Sequence, residues 1–269
     1  MTTHASLNLE IAEGVAEVTL IGPGKGNAMG PDFWRDLPVV FDILDSDDDT
    51  RAVVLRGDGV NFSYGLDLPA MMGSLSAGDT AADRAKLLDV LLQMQGAVTH
   101  VQTCRKPVIA AIQGWCIGGG LDLIAACDIR LCSADARFSL RETRMAMVAD
   151  IGSLQRLPAI IGEGNTRELA FTGKDIDAQR ALKMGLVNEV FATSEELFVA
   201  AHMMARQIAA NPPLAVQGSK RVLNETQGKP LEEGLRYVAL WNSAYLHTDD
   251  LREAISAFIE KREPRFTGR

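Results

Sequence analysis

Residues 106–128 read KPVIAAIQGWCIGGGLDLIAACD, and the way this stretch divides decides the fold. The apolar run 107–111 is too short for a helix of its own and predicts a buried strand. Residues 114–120 predict a glycine-rich loop, and 121–127 continue it as an apolar helix. A chain that passes from a strand through Gly118, Gly119 and Gly120 into a helix leaves backbone N–H groups bare at the helix start. There the missing Cβ atoms let a ligand oxygen approach, and the helix dipole favours negative charge. Those are the requirements of an oxyanion hole, although the same glycines also serve close packing of helix on strand.

Working outward, Ile129-Arg130-Leu131-Cys132 predicts the next strand. The β-prone runs 7–11 and 15–20 flank Ala12-Glu13-Gly14 and predict an opening hairpin. Pro31 starts a helical pattern through Phe41; Asp42, Asp45, Asp47, Asp48 and Asp49 then mark a solvated helix end and loop before the strand 52–55. Residues 80–102 carry a long helical period. This alternation predicts an α/β core built from crossover units. From Leu154 the pattern is almost wholly helical, with 186–191 the single strand candidate. Asn211-Pro212-Pro213 is the clearest break, so a boundary near Ala209 divides a core, 1–209, from a helical region, 210–269, with helices around 213–225, 231–245 and 249–261.

The 269 residues carry 27 Lys+Arg against 35 Asp+Glu, a net charge of −8 that opposes a nucleic-acid partner, whose phosphates require a basic face. Cys104, Cys116, Cys127 and Cys132 form no Cys-x-x-Cys pair, and His4, His100, His202 and His247 have no ligand-like spacing, so no metal site is expected. No apolar stretch approaches the roughly 20 residues that span a bilayer. The opening MTTHASLNLEIAEG has neither signal-peptide nor transit-peptide layout, and Thr267-Gly268-Arg269 is not a Ser-Lys-Leu signal, so the expected location is cytoplasmic.

Two further features point to chemistry. Asn61-Phe62-Ser63-Tyr64-Gly65-Leu66-Asp67 is a turn that can offer a second backbone donor, or simply end a strand. Asp122, Glu142 and Asp150 sit among apolar neighbours; desolvation there raises carboxyl pKa values and prepares acids and bases, though each also suits a helix cap or a structural ion pair. Gly22-Pro23-Gly24-Lys25-Gly26-Asn27 lacks the Walker spacing. No Gly-x-Ser-x-Gly elbow or Gly-x-Gly-x-x-Gly fingerprint is present, so nucleophilic and hydride chemistry lack parts.

Taken together, these residues resemble the crotonase (enoyl-CoA hydratase/isomerase) superfamily, most specifically over 61–68, 106–128 and 149–158, with a match reaching the tail Phe258-Ile259-Glu260-Lys261-Arg262. The resemblance implies a spiral of ββα units with a C-terminal α-helical trimerisation region, and a homotrimer or hexamer. It implies an acyl-CoA thioester substrate that carries its own coenzyme A, with no other cofactor, no metal and no membrane partner. Carried over by motif, the backbone N–H groups of Tyr64 and Gly119 would form the oxyanion hole. Asn27, Ala28, Phe62, Gly65, Leu66, Asp67 and Gly118 would bind substrate, with Phe258 and Lys261 on coenzyme A, often across a subunit boundary. Tyr64 departs from the usual small residue, and Ala146 from the usual glycine.

Hydratases of this family carry two glutamates at the positions of Asp122 and Glu142, and glycine at that of Asp150. The three acids here, with the phrase ADIGSLQRLP at 149–158, resemble the Δ3,5-Δ2,4-dienoyl-CoA isomerases. By that resemblance Glu142, ionised, is the base at C2; Asp150, kept protonated by its apolar flanks, is the acid at C6; and Asp122 orients them. Arg141 and Arg144 either lower the Glu142 pKa or face solvent. The rival readings are an enoyl-CoA hydratase and, from another class, a non-catalytic acyl-CoA-binding or RNA-binding member.

Overall fold

The computed structural model describes residues 2–76 and 78–269. Strand β1 (Thr2–Thr3) pairs antiparallel with β2 (Leu7–Ala12), which forms the expected hairpin with β3 (Val15–Leu20). Glu13 and Gly14 turn it with φ of 52° and 77°, positive at both as a two-residue hairpin turn requires. Helix α1 (Pro31–Ser46) begins on its proline and runs past Phe41, so Asp42 and Asp45 lie on its last turns rather than in a loop. Next come β4 (Ala52–Gly57), α2 (Leu68–Leu75) and α3 (Ala81–Thr103), the last started by a Thr80–Asp83 capping box.

The deciding stretch becomes β5 (Val108–Ile112), β6 (Trp115–Ile117) and α4 (Gly119–Ala125). Part of the expected loop is therefore a strand. After β7 (Ile129–Ser133) come β8 (Arg137–Ser139), α5 (Ser153–Thr172), β9 (Asp175–Asp177), α6 (Ala178–Lys183), β10 (Glu189–Phe191) and α7 (Ser194–Ala209). The last helices, α8 (Pro213–Thr226), α9 (Leu231–Tyr245) and α10 (Asp249–Glu260), follow the expected ranges closely.

One sheet has the order β1-β2-β3-β4-β5-β7-β10 and is parallel from β3 onward; the second has the order β6-β8-β9. Both faces of the large sheet are covered, which is why β5 reads as an unbroken apolar run. Val108, Ala110 and Ile112 face the core shared by α1, α3, α4 and α5, whereas Ile109 and Ala111 face Leu197, Ala201 and Ala205 of α7. The strands β6, β8 and β9 have three residues each, too few to carry a period, and they form only because the chain brings them together.

Helix α8 is tied to the core by Lys220, whose Nζ donates to the Lys106 carbonyl (3.0 Å) and to Asp128 Oδ2 (2.7 Å). Arg51 reaches the Ala209 carbonyl at 3.1 Å and that of Phe266 at 2.8 Å. Helix α9, by contrast, buries none of its residues. Among the described residues no helix is long and apolar enough to cross a membrane.

Candidate active site

A cavity of about 790 Å³ opens between α2, α3, the start of α4 and the segment 141–151. Its apolar wall includes Leu68 and Leu75 of α2 and Leu87, Leu91 and Met94 of α3. Its polar end holds Gly118, Gly119 and the carboxyl groups of Asp122, Glu142 and Asp150. A mostly apolar cleft of this size with a few convergent polar groups suits a small-molecule site.

Two chain segments meet at that polar end. Ser63 is zipped to β6, its N–H donating to the Trp115 carbonyl (3.0 Å) and its carbonyl accepting from Ile117 N–H (2.9 Å). Gly65 follows at φ +78°, where a Cβ would lie 2.5 Å from the Ile117 carbonyl oxygen and 2.8 Å from the Gly119 nitrogen, so only glycine permits this approach. Gly119 opens α4, and its N–H has no acceptor among the described residues. On the facing segment, however, Tyr64 N–H is spent: it donates to the Gly26 carbonyl at 2.7 Å. The amide of that turn left without an acceptor among the described residues is that of Leu66. Its nitrogen lies 3.6 Å from where a Gly119 Cβ would be, and the residue lines the cavity. The carry-over to Tyr64 is therefore corrected to Leu66. What Tyr64 brings to the cavity is its ring, packed onto Gly26 in space that a Cβ there would fill.

The three acids differ in environment. Asp122 is 1% exposed, its Oδ1 accepts from Ser153 N–H at 2.6 Å, and burial pushes its pKa up to about 6. Glu142 starts a 3₁₀ turn, Glu142–Met145; its buried Oε2 has no hydrogen-bond partner among the described residues, and its Oε1 lies 3.1 Å from the Cβ position of Gly118. Burial, with smaller contributions from Asp122 and Asp150, raises Glu142 to about 7. Asp150 is solvent-exposed and only partial desolvation raises it. Its immediate neighbours Ala149 and Ile151 are buried, but Met147, Val148 and Asp150 itself are exposed, so the expected apolar shield around Asp150 is only partial. Of Glu142 and Asp150, Glu142 sits in the setting that more strongly disfavours charge.

The sequence model for enoyl-CoA hydratase/isomerase matches residues 10–269. The chain belongs to the enoyl-CoA hydratase/isomerase family. It is 42% identical over 272 residues to a Dictyostelium discoideum protein named Δ3,5-Δ2,4-dienoyl-CoA isomerase, mitochondrial, covering 99% of this chain and 92% of that one. It is also 42% identical to the peroxisomal protein of that name from Arabidopsis thaliana, with 99% of each covered. Among solved structures, an enoyl-CoA hydratase from Bacillus anthracis superposes with a TM-score of 0.90 at 31% identity, covering 98% of this chain and all of that one. The cytoplasmic expectation is overturned, because the dienoyl-CoA isomerases it resembles are named mitochondrial or peroxisomal.

The other residues carried over from this enoyl-CoA hydratase/isomerase family fall into three groups. Gly65 and Gly118 shape the amide pair described above. Asn27, Phe62 and Asp67 brace it without lining the cavity: Asn27 Nδ2 donates to the carbonyls of Asp58, Asn61 and Phe62 (3.0, 2.9 and 3.1 Å), Phe62 is fully buried, and Asp67 caps α2. Ala28 is half-buried beside them. Phe258, 85% exposed, and Lys261 lie at the end of α10 and are not part of the cavity wall. Arg141 pairs with Asp175 and lies 5.5 Å over the Trp115 ring, while Arg144 Nε donates to the Thr172 carbonyl at 3.4 Å. Neither arginine is among the causes of the Glu142 shift; of the two readings, solvent-facing holds for the exposed Arg144, while Arg141 is half-buried at the cavity wall. Ser153, which holds Asp122, carried no chemical signal in the sequence.

Proposed function

We propose that this protein is an isomerase that converts 3,5-dienoyl-CoA to 2,4-dienoyl-CoA. The observation that carries the reading is the third carboxyl group: Asp150 lines the same cavity as Asp122 and Glu142, and simple hydration has no task for it. The names of the relatives at 42% identity support the same conclusion. In this reading the thioester oxygen lies between the amides of Leu66 and Gly119, one such donor lowering the barrier to an enolate by about 3 kcal/mol. Glu142, through its unpartnered Oε2, takes the proton from C2; the electron pair moves along the conjugated chain as a dienolate, and C6 takes a proton from Asp150. One proton leaves and one enters, so substrate and product have the same composition. Glu142 ends protonated and Asp150 ionised, and exchange with solvent resets both.

The acyl chain adds to the desolvation of Asp150 by covering its exposed side. Only protons and electron pairs of the substrate move, so the reaction calls for no cofactor beyond the coenzyme A that the substrate carries. The reading includes a homotrimer, or a hexamer of paired trimers, that covers the exposed Leu231, Leu235 and Leu240 of α9 and brings Phe258 and Lys261 toward coenzyme A.

An ultraviolet assay tests it. Purified protein given a 3,5-dienoyl-CoA should build the conjugated 2,4-dienoyl absorbance, and Glu142→Gln and Asp150→Asn should each lose the signal. Loss of the enoyl absorbance of a 2-trans-enoyl-CoA without dienoyl isomerisation would instead make the protein a hydratase and Asp150 structural.

A further inference from the structure

The turn between Asp150 and Ser153 governs two of the three acids: it carries Asp150, and its Ser153 N–H holds Asp122 of α4. Nothing in the sequence of this turn is rigid. Gly152 has φ 129° and ψ −3°, a conformation open to glycine and costly for other residues. The turn is fixed from outside, and the group that fixes it is Arg156, one turn into α5. Its guanidinium donates from Nη1 to the Ile151 carbonyl (3.3 Å), from Nη2 to Thr99 Oγ1 (3.1 Å) and from Nε to Gln102 Oε1 (2.8 Å). It also occupies the space beside Gly152, where a Cβ would come within 1.7 Å of Nη1. Gln95 adds a fourth tie, its Nε2 donating to the Asp150 carbonyl at 2.6 Å.

Gln95, Thr99 and Gln102 follow one another on α3 at helical spacing and form one polar stripe. Leu87, Leu91 and Met94 of the same helix line the cavity. One helix thus carries both part of the apolar wall and the anchors of the acid-bearing turn.

We propose that Arg156 is a positioning residue for the proton-transfer site: by clamping the turn 151–153 to α3, it sets where Asp150 stands and holds the N–H that orients Asp122. The proposal rests on the isomerase reading and deepens it. The charged and titratable groups around Asp122 are Glu142 and Asp150 on the acid-bearing segment, Cys116 on β6 and Arg156 on α5. Only Arg156 among them is a cation, and its field favours the ionised form of Asp122. Arginine rather than lysine is needed, because the clamp uses all three guanidinium nitrogens in one plane.

The test compares Arg156→Met and Arg156→Lys with the wild type by two readouts: kcat and KM on a 3,5-dienoyl-CoA, and the carboxyl titration of Asp122 followed by carbon NMR in the substrate-free protein. Arg156→Met should lose about 10²-fold in kcat with KM little changed, since misplacing a catalytic group by about 1 Å costs that much, and Asp122 should titrate at higher pH. Arg156→Lys keeps the charge but loses the clamp, so Asp122 should titrate between its wild-type and Arg156→Met positions and kcat should not recover. Wild-type kcat in Arg156→Met, or full recovery in Arg156→Lys, would overturn the clamp. Should Arg156→Met not fold, Thr99→Val combined with Gln102→Leu removes two of the three acceptors and keeps the charge. That double variant should lower kcat about 10-fold and move the Asp122 titration to higher pH as its Ser153 hydrogen bond loosens, and a kcat within twofold of wild type would count against the proposal. If the wild type performs no dienoyl isomerisation, the functional reading fails, while an unmoved Asp122 titration in Arg156→Met would still overturn the role of Arg156.

Discussion

A carboxyl group with a pKa of about 7 is half ionised at neutral pH, and Glu142 reaches that point because burial desolvates it, with Asp122 and Asp150 adding to the rise and no donor among the described residues meeting its Oε2. The native state therefore binds more protons than the unfolded state between about pH 4.5 and 7, so the contribution of Glu142 to stability falls as pH rises through that window. Glu142→Gln should lose 10²–10⁴-fold in kcat yet gain about 1–3 kcal/mol of stability at pH 8, with the gain vanishing near pH 4. Urea unfolding at the two pH values measures this, and equal stabilities at pH 8 would remove desolvation as the cause. Ala146 is a second residue held against its preference, at φ 58° and ψ 32° in the left-handed region. Its Cβ costs about 1 kcal/mol there, so Ala146→Gly should stabilise the protein by about 0.5 kcal/mol after the extra freedom of glycine in the unfolded chain is counted. A midpoint shift in urea of the opposite sign would show that the methyl is well packed.

Elements meet where single positions allow them to. The turn after β4 approaches the β6–α4 junction only because Gly65 has no Cβ, and the amides of Leu66 and Gly119, without acceptors among the described residues, come close as a result. Gly65→Ala should cost about 2–4 kcal/mol of stability and at least 10²-fold in kcat, because the new methyl would press on the Ile117 carbonyl and the Gly119 nitrogen. Calorimetry and the dienoyl assay check the two effects separately, and an active, stable variant would mean that the segments can part without harm. The longer elements were legible from periodicity, down to the bounds of α9. The strands β6, β8 and β9 were not, since three residues cannot display an alternation and their pairing joins segments far apart in the chain.

Across the whole molecule, α7 is tied to the large sheet by a cluster of three side chains, His202, Glu17 and Arg56. His202 Nε2 lies 2.6 Å from Glu17 Oε2, Arg56 Nε donates to Glu17 Oε1 at 2.7 Å, and the Arg56 guanidinium covers the Phe198 ring. The His202 hydrogen bond first, then Arg56, hold Glu17 down at about 2 against the cost of burial. Such a lowered pKa contributes stability that is complete above about pH 4.5 and is lost as pH falls toward 2. Glu17→Gln should cost about 1–2 kcal/mol at pH 7 and progressively less below pH 4, a convergence that acid titration followed by circular dichroism reads directly.

Asp122, Glu142 and Asp150 were visible in the sequence because their apolar neighbours and spacing are local facts, and all three reach one cavity. The order of the long elements, the break before Pro213 and the family resemblance were equally local. Which amide is free was not. Tyr64 and Leu66 are two residues apart in one turn, and the distinction depends on Gly26, a distant residue whose carbonyl accepts the Tyr64 N–H. The distribution of protons was hidden for the same reason. Apolar flanks suggested that Asp150 is the shielded acid, yet desolvation depends on what surrounds a side chain in space, and the fold half-buries Glu142, covering its Oε2, while leaving Asp150 more open to solvent.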